Sequence, residues 1–244
     1  MKFRNQIRVM ILLAFTGIVI SGNAQDASTI LKKMDEVLYA PKDMTATNTI
    51  ILIDKNGKQE VREANVKQKG TNKRIIRFTS PASQAGIAFL ALPDDVMYMY
   101  LPAFGKERRI AASVKNQSFA GTDFSYEDME SRLYVDTYDP KLISTEGETY
   151  VLELIPKGRS DYSKLVATIN KAHFYPEHME YYDRGNSKIK EATYTFNKVG
   201  KYWNPAEIEM KDLKKNHVTR MQTSNVEFDT GLSDDEFTVR KLTQ

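Results

Sequence analysis

From residue 45 onward the chain is a succession of short, strand-like segments punctuated by turn residues, and this most constrains what it can fold into. Residues 45–54 are β-branched and meet Lys55-Asn56-Gly57-Lys58, a hairpin signal because Asn-Gly supplies the positive φ of a tight turn. Residues 60–69, 73–79, 87–92 and 96–101 continue the pattern, with Thr71-Asn72 and Asp94-Asp95 as turn points. Later segments between 142 and 228 are divided by Gly147, Arg184-Gly185-Asn186, Gly200 and Lys214-Lys215-Asn216. About ten or eleven strands in hairpin succession predict a mainly β protein built on one large antiparallel sheet, which at that size tends to curl. No composition break or internal repeat marks a second domain, so residues 25–244 are expected to form one.

Helical signals are few. Ile30, Leu31, Met34, Val37 and Leu38 share one face of an amphipathic helix, which Asp26 or Ser28 can cap and Pro41 follows. Ser125-Tyr126-Glu127-Asp128 has the form of a capping box, predicting a short helix hung on the turn Gly121-Thr122-Asp123-Phe124.

The N-terminus carries the marks of a secretory signal peptide. Lys2, Arg4 and Arg8 form a basic region, residues 9–20 are apolar apart from Thr16 and Gly17, and Gly22 and Ala24 supply the small residues of a cleavage site. The apolar run is too short for a membrane span, so residues 1–24 are expected to be cleaved and the mature protein to be soluble. Cleavage lowers the formal net charge from +3 to zero, which removes any reason to expect nucleic acid as a partner. The chain has no cysteine, which excludes disulfides, thiol chemistry and a lipidated N-terminal cysteine. A domain of about 220 residues buries enough core without such staples.

No catalytic constellation is legible, and no enzyme activity, metal or cofactor is expected. His173, His178 and His217 lack partners at metal-ligand spacing, and no nucleophile-elbow pattern surrounds Ser113, Ser118 or Ser125. The carboxylates at Asp94-Asp95, Glu127-Asp128 and Asp234-Asp235-Glu236 all fit turn or helix-start chemistry. Lys106, Arg108 and Arg109 form a basic group that is either a solvated edge or a contact for an anionic head group or partner.

The apolar segments are more telling. In residues 96–101, Met97, Met99 and Leu101 share one face while Val96, Tyr98 and Tyr100 share the other, and residues 87–92 repeat this two-sided character. Such strands must be covered twice. They are either central strands of an ordinary two-layer core or one wall of a cavity, for which flexible, polarisable Met is suited.

The chain resembles the LolA-like outer-membrane lipoprotein-sorting proteins. The resemblance is carried by Arg77-Phe78 with Pro81, by residues 86–90 and 100–103, by Lys106 with Arg108-Arg109-Ile110, and by residues 118–128 and 229–237; the 118–128 run, SFAGTDFSYED, is the most specific. It implies an incomplete antiparallel β-barrel with an apolar inner face covered by short helices. By that resemblance the protein is a periplasmic carrier without cofactor. It would take acyl chains of lipoproteins, or another lipid, from an inner-membrane transporter and deliver them to an outer-membrane acceptor. The alternative is an RseB-like lipoprotein sensor or an accessory protein of a lipid exporter. The implied cavity lining is Phe89, Leu90, Leu92, Met97, Met99 and Leu101, with Phe119, Gly121, Phe124 and Tyr126 on a lid. Arg62 is the arginine nearest the start of the first hairpin, in a charged strand, and no lid-locking arginine is assigned.

Overall fold

The computed structural model describes residues 26–244; the expected signal peptide lies outside them. Helix α1 (Ala27–Leu38) starts where Asp26 caps it, its carboxylate accepting the Thr29 amide at 2.8 Å. Its apolar stripe is buried through Ile30, Leu31 and Met34.

Thirteen strands follow, rather than ten or eleven, all in one antiparallel sheet. The first six are β1 (Asp43–Ile53), β2 (Gln59–Lys69), β3 (Lys73–Ser80), β4 (Ala88–Leu92), β5 (Val96–Leu101) and β6 (Lys106–Arg109). Helix α2 (Tyr134–Thr137) then leads into β7 (Tyr138–Glu146), β8 (Thr149–Pro156), β9 (Tyr162–Asn170), β10 (Pro176–Asp183), β11 (Lys188–Val199), β12 (Tyr202–Asp212) and β13 (His217–Phe228). The spatial order is β6-β5-β4-β3-β2-β1-β13-β12-β11-β10-β9-β8-β7. Each half of the chain is a meander, and β1 and β13 join the halves at the centre. The sheet ends at β6 and β7 without pairing them, which makes an incomplete barrel.

Local chemistry explains several details. Asp94 and Asp95 both adopt positive φ, 59° and 58°, in the β4–β5 turn, a conformation that a short acidic side chain tolerates. Pro205 lies in β12 opposite Phe196, beside the register shift after Thr195, where a bulge accommodates its missing N–H. In β2 the inward residues are Arg62, Ala64 and Val66, while Val61 faces solvent, half exposed.

The capping box at residues 125–128 forms, but the helix it predicted does not. Ser125 N–H donates to Asp128 Oδ2 at 2.7 Å and Asp128 N–H to Ser125 Oγ at 3.1 Å. The chain closes only a turn there, because Asp128 also accepts from Tyr162 Oη at 3.0 Å and pairs with Lys190 at 3.2 Å. Those ties to β9 and β11 hold the segment across the sheet instead of letting it wind into a helix.

The main core lies on the inner face, where α1 and residues 119–129 pack on the sheet. A smaller core lies on the outer face, where Phe237 and Leu242 of the C-terminal segment cover Ile75, Ala88 and Leu90. Leu242 belongs to helix α3 (Val239–Leu242), whose backbone is held by Arg77; Nη1 donates to Leu242 O at 3.2 Å.

Candidate functional site

The segment joining β6 to β7 passes over the inner face, and its middle, residues 118–130, is fixed by residues far away in sequence. Phe119 is fully buried, packed edge-on against Phe89 at 5.2 Å between ring centroids and against Tyr126 at 5.9 Å. Ala120 and Gly121 both take positive φ to make the turn, Gly121 at 79°, where glycine is unstrained. The buried Asp123 carboxylate accepts from Thr219 Oγ1 at 2.7 Å and lies 2.7 Å from His217 Nδ1. Arg62 donates to the Ala120 carbonyl from β2, and Ser160 donates to Glu127 from the approach to β9. The segment therefore bridges the two halves of the sheet.

Beneath it, and beside the end of α1, is a cavity of about 260 Å³. Its apolar wall includes Met44, Val66, Ile76, Leu165, Ile208 and Met221, one from each of six strands. Phe124 and Met129 line it from the bridging segment, Leu38 and Tyr39 from the end of α1. Polar groups gather at its margin. Burial raises Tyr134, Tyr138 and Tyr181 above the ordinary phenol range, and pushes Tyr194 up to about 12. These phenols stay neutral at any physiological pH. Burial likewise raises Glu127, despite its bond from Ser160.

Asp35 joins α1 to the margin. Its carboxylate accepts the Tyr134 and Val135 amides, both at 2.9 Å, and burial nonetheless raises its pKa to about 6. Among the described residues no group of three or more His, Asp or Glu could hold a metal, and no helix is long and apolar enough to cross a membrane.

Comparison with known proteins places this architecture. No curated protein matches the sequence. A family model described as an "Uncharacterized protein"-like family matches residues 70–244, and the chain belongs to that family. An outer membrane lipoprotein-sorting protein domain from Vibrio parahaemolyticus is 28% identical with a TM-score of 0.80, over 88% of this chain and 98% of that one. A LolA superfamily protein from Nitrosomonas europaea is 26% identical with a TM-score of 0.75, over 88% and 98%. This is a LolA-like protein. A DUF1329 family protein from Desulfovibrio piger shares the fold at 27% identity and a TM-score of 0.83, over 88% and 97%.

The residues expected to line the cavity of this LolA-like protein do not form one lining. Phe89, Met97 and Met99 lie in the inner core, with Phe89 under Phe119 and Tyr126, and Leu101 packs at the margin of that core. Leu90 points the other way, under Phe237 and Leu242, and Leu92 packs beside it. Successive strand residues face opposite sides of a sheet, so Phe89 and Leu90 cannot share a lining. The bridging segment fills the inner surface of β4 and β5, and the 260 Å³ cavity opens farther along, over β1–β3, the start of β7 and β9–β13. A smaller hollow touches Leu92 and Met97.

Of the expected lid residues, Phe124 lines the cavity, Phe119 and Tyr126 pack on Phe89, and Gly121 lies exposed at the turn. Lys106, Arg108 and Arg109 are exposed on β6, at the sheet edge, with Arg108 stacked on Phe104 at 5.0 Å. Their place on an edge strand fits the protection that charged residues give to unpaired strand backbones. Two functional features were not legible in sequence. One is the Asp123–His217 contact, between residues 94 positions apart. The other is the inward position of Arg62, whose only sequence signal is an arginine within a charged run.

Proposed function

We propose that this LolA-like protein is a periplasmic carrier that holds acyl chains of lipoproteins, or of another lipid, and delivers them towards the outer membrane. The carrying observation is the 260 Å³ cavity on the inner face, walled by aliphatic and Met side chains beneath a segment tied down by polar contacts. An acyl chain of about 16 carbons loses roughly 12 kcal/mol of apolar transfer energy when exposed to water, so its passage requires a shielding wall.

The cavity sits just below the roughly 300–1,000 Å³ of ordinary ligand pockets. Admission of a whole chain therefore requires the bridging segment or the end of α1 to move outward. The ties that would yield are side-chain contacts: Arg62 to Ala120, Asp123 to His217 and Thr219, Glu127 to Ser160, and Asp128 to Tyr162 and Lys190. Each is individually modest, so donor and acceptor proteins can reset the equilibrium by binding one arrangement better than the other. An inner-membrane transporter as donor and an outer-membrane protein as acceptor complete the cycle. Carriage of this kind makes and breaks no covalent bond.

Native mass spectrometry of the protein from periplasmic extracts, with lipid extraction of the same sample, tests the reading. The expected result is an added mass matching an acylated molecule, lost in Ile208→Trp, which fills the cavity from β12. A clean apo mass, together with failure to take up a fluorescent fatty acid, refutes it.

A further inference from the structure

The charges around the cavity are unevenly matched. Glu130 pairs with Lys115 and, at 2.7 Å, with Arg132; Asp128 pairs with Lys190 at 3.2 Å. The Asp43 carboxylate accepts the backbone amides of Thr230, Gly231 and Leu232, at 2.7, 2.9 and 3.1 Å. Arg74 has no such counterpart. Its Nε and Nη2 both donate to the same neutral oxygen, Gln68 Oε1, at 3.1 and 2.7 Å, and Nη1 has no acceptor among the described residues.

Its position follows from the register. Met44 lies opposite Gln68, Gln68 opposite Arg74, Arg74 opposite Ala91 and Ala91 opposite Met97, so the guanidinium is the one charged group in a cross-strand row that is otherwise neutral. Residues directly opposite share a face, and Ala91 belongs to the inner core, so Arg74 faces inward with it. Arg74 lines the cavity together with Tyr39 and Tyr134, and burial lowers its pKa from the ordinary guanidinium value. Arg74 is half-buried, and a partly desolvated cation without a carboxylate partner is unfavourable. Its planar fork of donors is the group that best matches a carboxylate or phosphate.

We infer that Arg74 receives the anionic head group of the ligand, so that the cavity selects acyl chains carrying a carboxylate or a phosphate ester over uncharged ones. This rests on the acyl-binding reading above and specifies the ligand class at that site. An uncharged acylglycerol head would leave the guanidinium unneutralised, whereas an anion ends that imbalance and keeps the acyl tail against Met44, Val66 and Met221.

The test uses displacement of the neutral fluorophore N-phenyl-1-naphthylamine from the protein at pH 8, with oleate, oleoyl lysophosphatidate and oleyl alcohol as competitors. The anionic competitors are expected to act at about 10- to 100-fold lower concentration than the alcohol, the range for a charge-assisted hydrogen bond. Arg74→Gln should bring at least one of them to the level of the alcohol measured on the same variant, and Arg74→Lys should keep part of the difference. Whichever anion loses more names the head group. Equal displacement by oleate, lysophosphatidate and oleyl alcohol in the unaltered protein overturns the inference, without needing a variant to fold, and leaves the acyl-binding reading standing. Persistence of the full preference in a folded Arg74→Gln protein also overturns it. Failure of all three competitors and of the fluorophore to bind refutes acyl binding itself.

Discussion

Truncation of Phe119 to alanine distinguishes a bridging segment that is part of the core from one that rests loosely on the sheet. Phe119 is fully buried, with ring centroids 5.2 Å from Phe89, 5.9 Å from Tyr126 and 6.2 Å from Phe78. Emptying such a site removes the transfer energy of the ring and leaves a cavity, a loss of about 3–5 kcal/mol. For a domain of this size that lowers Tm by about 6 to 20 °C. Part of the loss is specific to the edge-to-face pair, so a double-mutant cycle with Phe89→Leu should give a coupling of about 0.5–1.5 kcal/mol. Urea unfolding followed by circular dichroism reads the total, and hydrogen exchange of the amides in residues 118–126 reads the segment alone. A loss below about 1 kcal/mol, with exchange accelerated only in those amides, would refute the docking argument: the segment would then open without the sheet noticing.

Two further outcomes follow from packing and titration. Leu90→Ala should cost about 2–5 kcal/mol by uncovering the contact with Phe237 and Leu242, yet leave fluorophore affinity unchanged; a selective loss of binding would return Leu90 to the cavity. Asp35 titrates at about 6 in the folded chain against 3.8 when exposed. Its raised value means that the stability it contributes is complete below pH 3.8 and falls away as pH rises through 6, by about 3 kcal/mol at 1.36 kcal/mol per unit. Asp35→Asn should flatten the slope of unfolding free energy between pH 4 and 6, and an unchanged slope would show that another group titrates there.

Short-range chemistry was legible and long-range chemistry was not. The Asp26 cap, the turn at Asp94-Asp95 and the stripe Ile30, Leu31, Met34 depend on neighbours within a few positions, and each stands where alternation and turn residues placed it. Strand β6 escaped notice because Lys-Glu-Arg-Arg has no apolar alternation; β5 supplies its pairing. The capping box was correctly paired and wrongly extended: Asp128 keeps the box and is tied as well to Tyr162 and Lys190, 34 and 62 positions away, contacts that no local pattern reveals. The cavity could not be found from one run of sequence, since its lining is gathered from nine strands, the bridging segment and the end of α1. Alternation in β4 and β5 marked residues covered on both sides, without showing that protein, rather than ligand, does the covering.

The pairing of β1 with β13 has a consequence for how the chain folds. Ile50 lies opposite Met221 and Thr47 opposite Ser224, so the central seam joins segments separated by more than two thirds of the chain. Each half can zip as a run of local hairpins, but the seam closes only after a loop of that length has been closed, at an entropic cost no local contact repays in advance. Two preformed meanders therefore meet late, and until then β1 and β13 are both bare edges exposed to other chains. Assembly should be slow at that step, and a chain stalled before residue 217 would hold two six-stranded meanders, β1–β6 and β7–β12, without the strand that joins them.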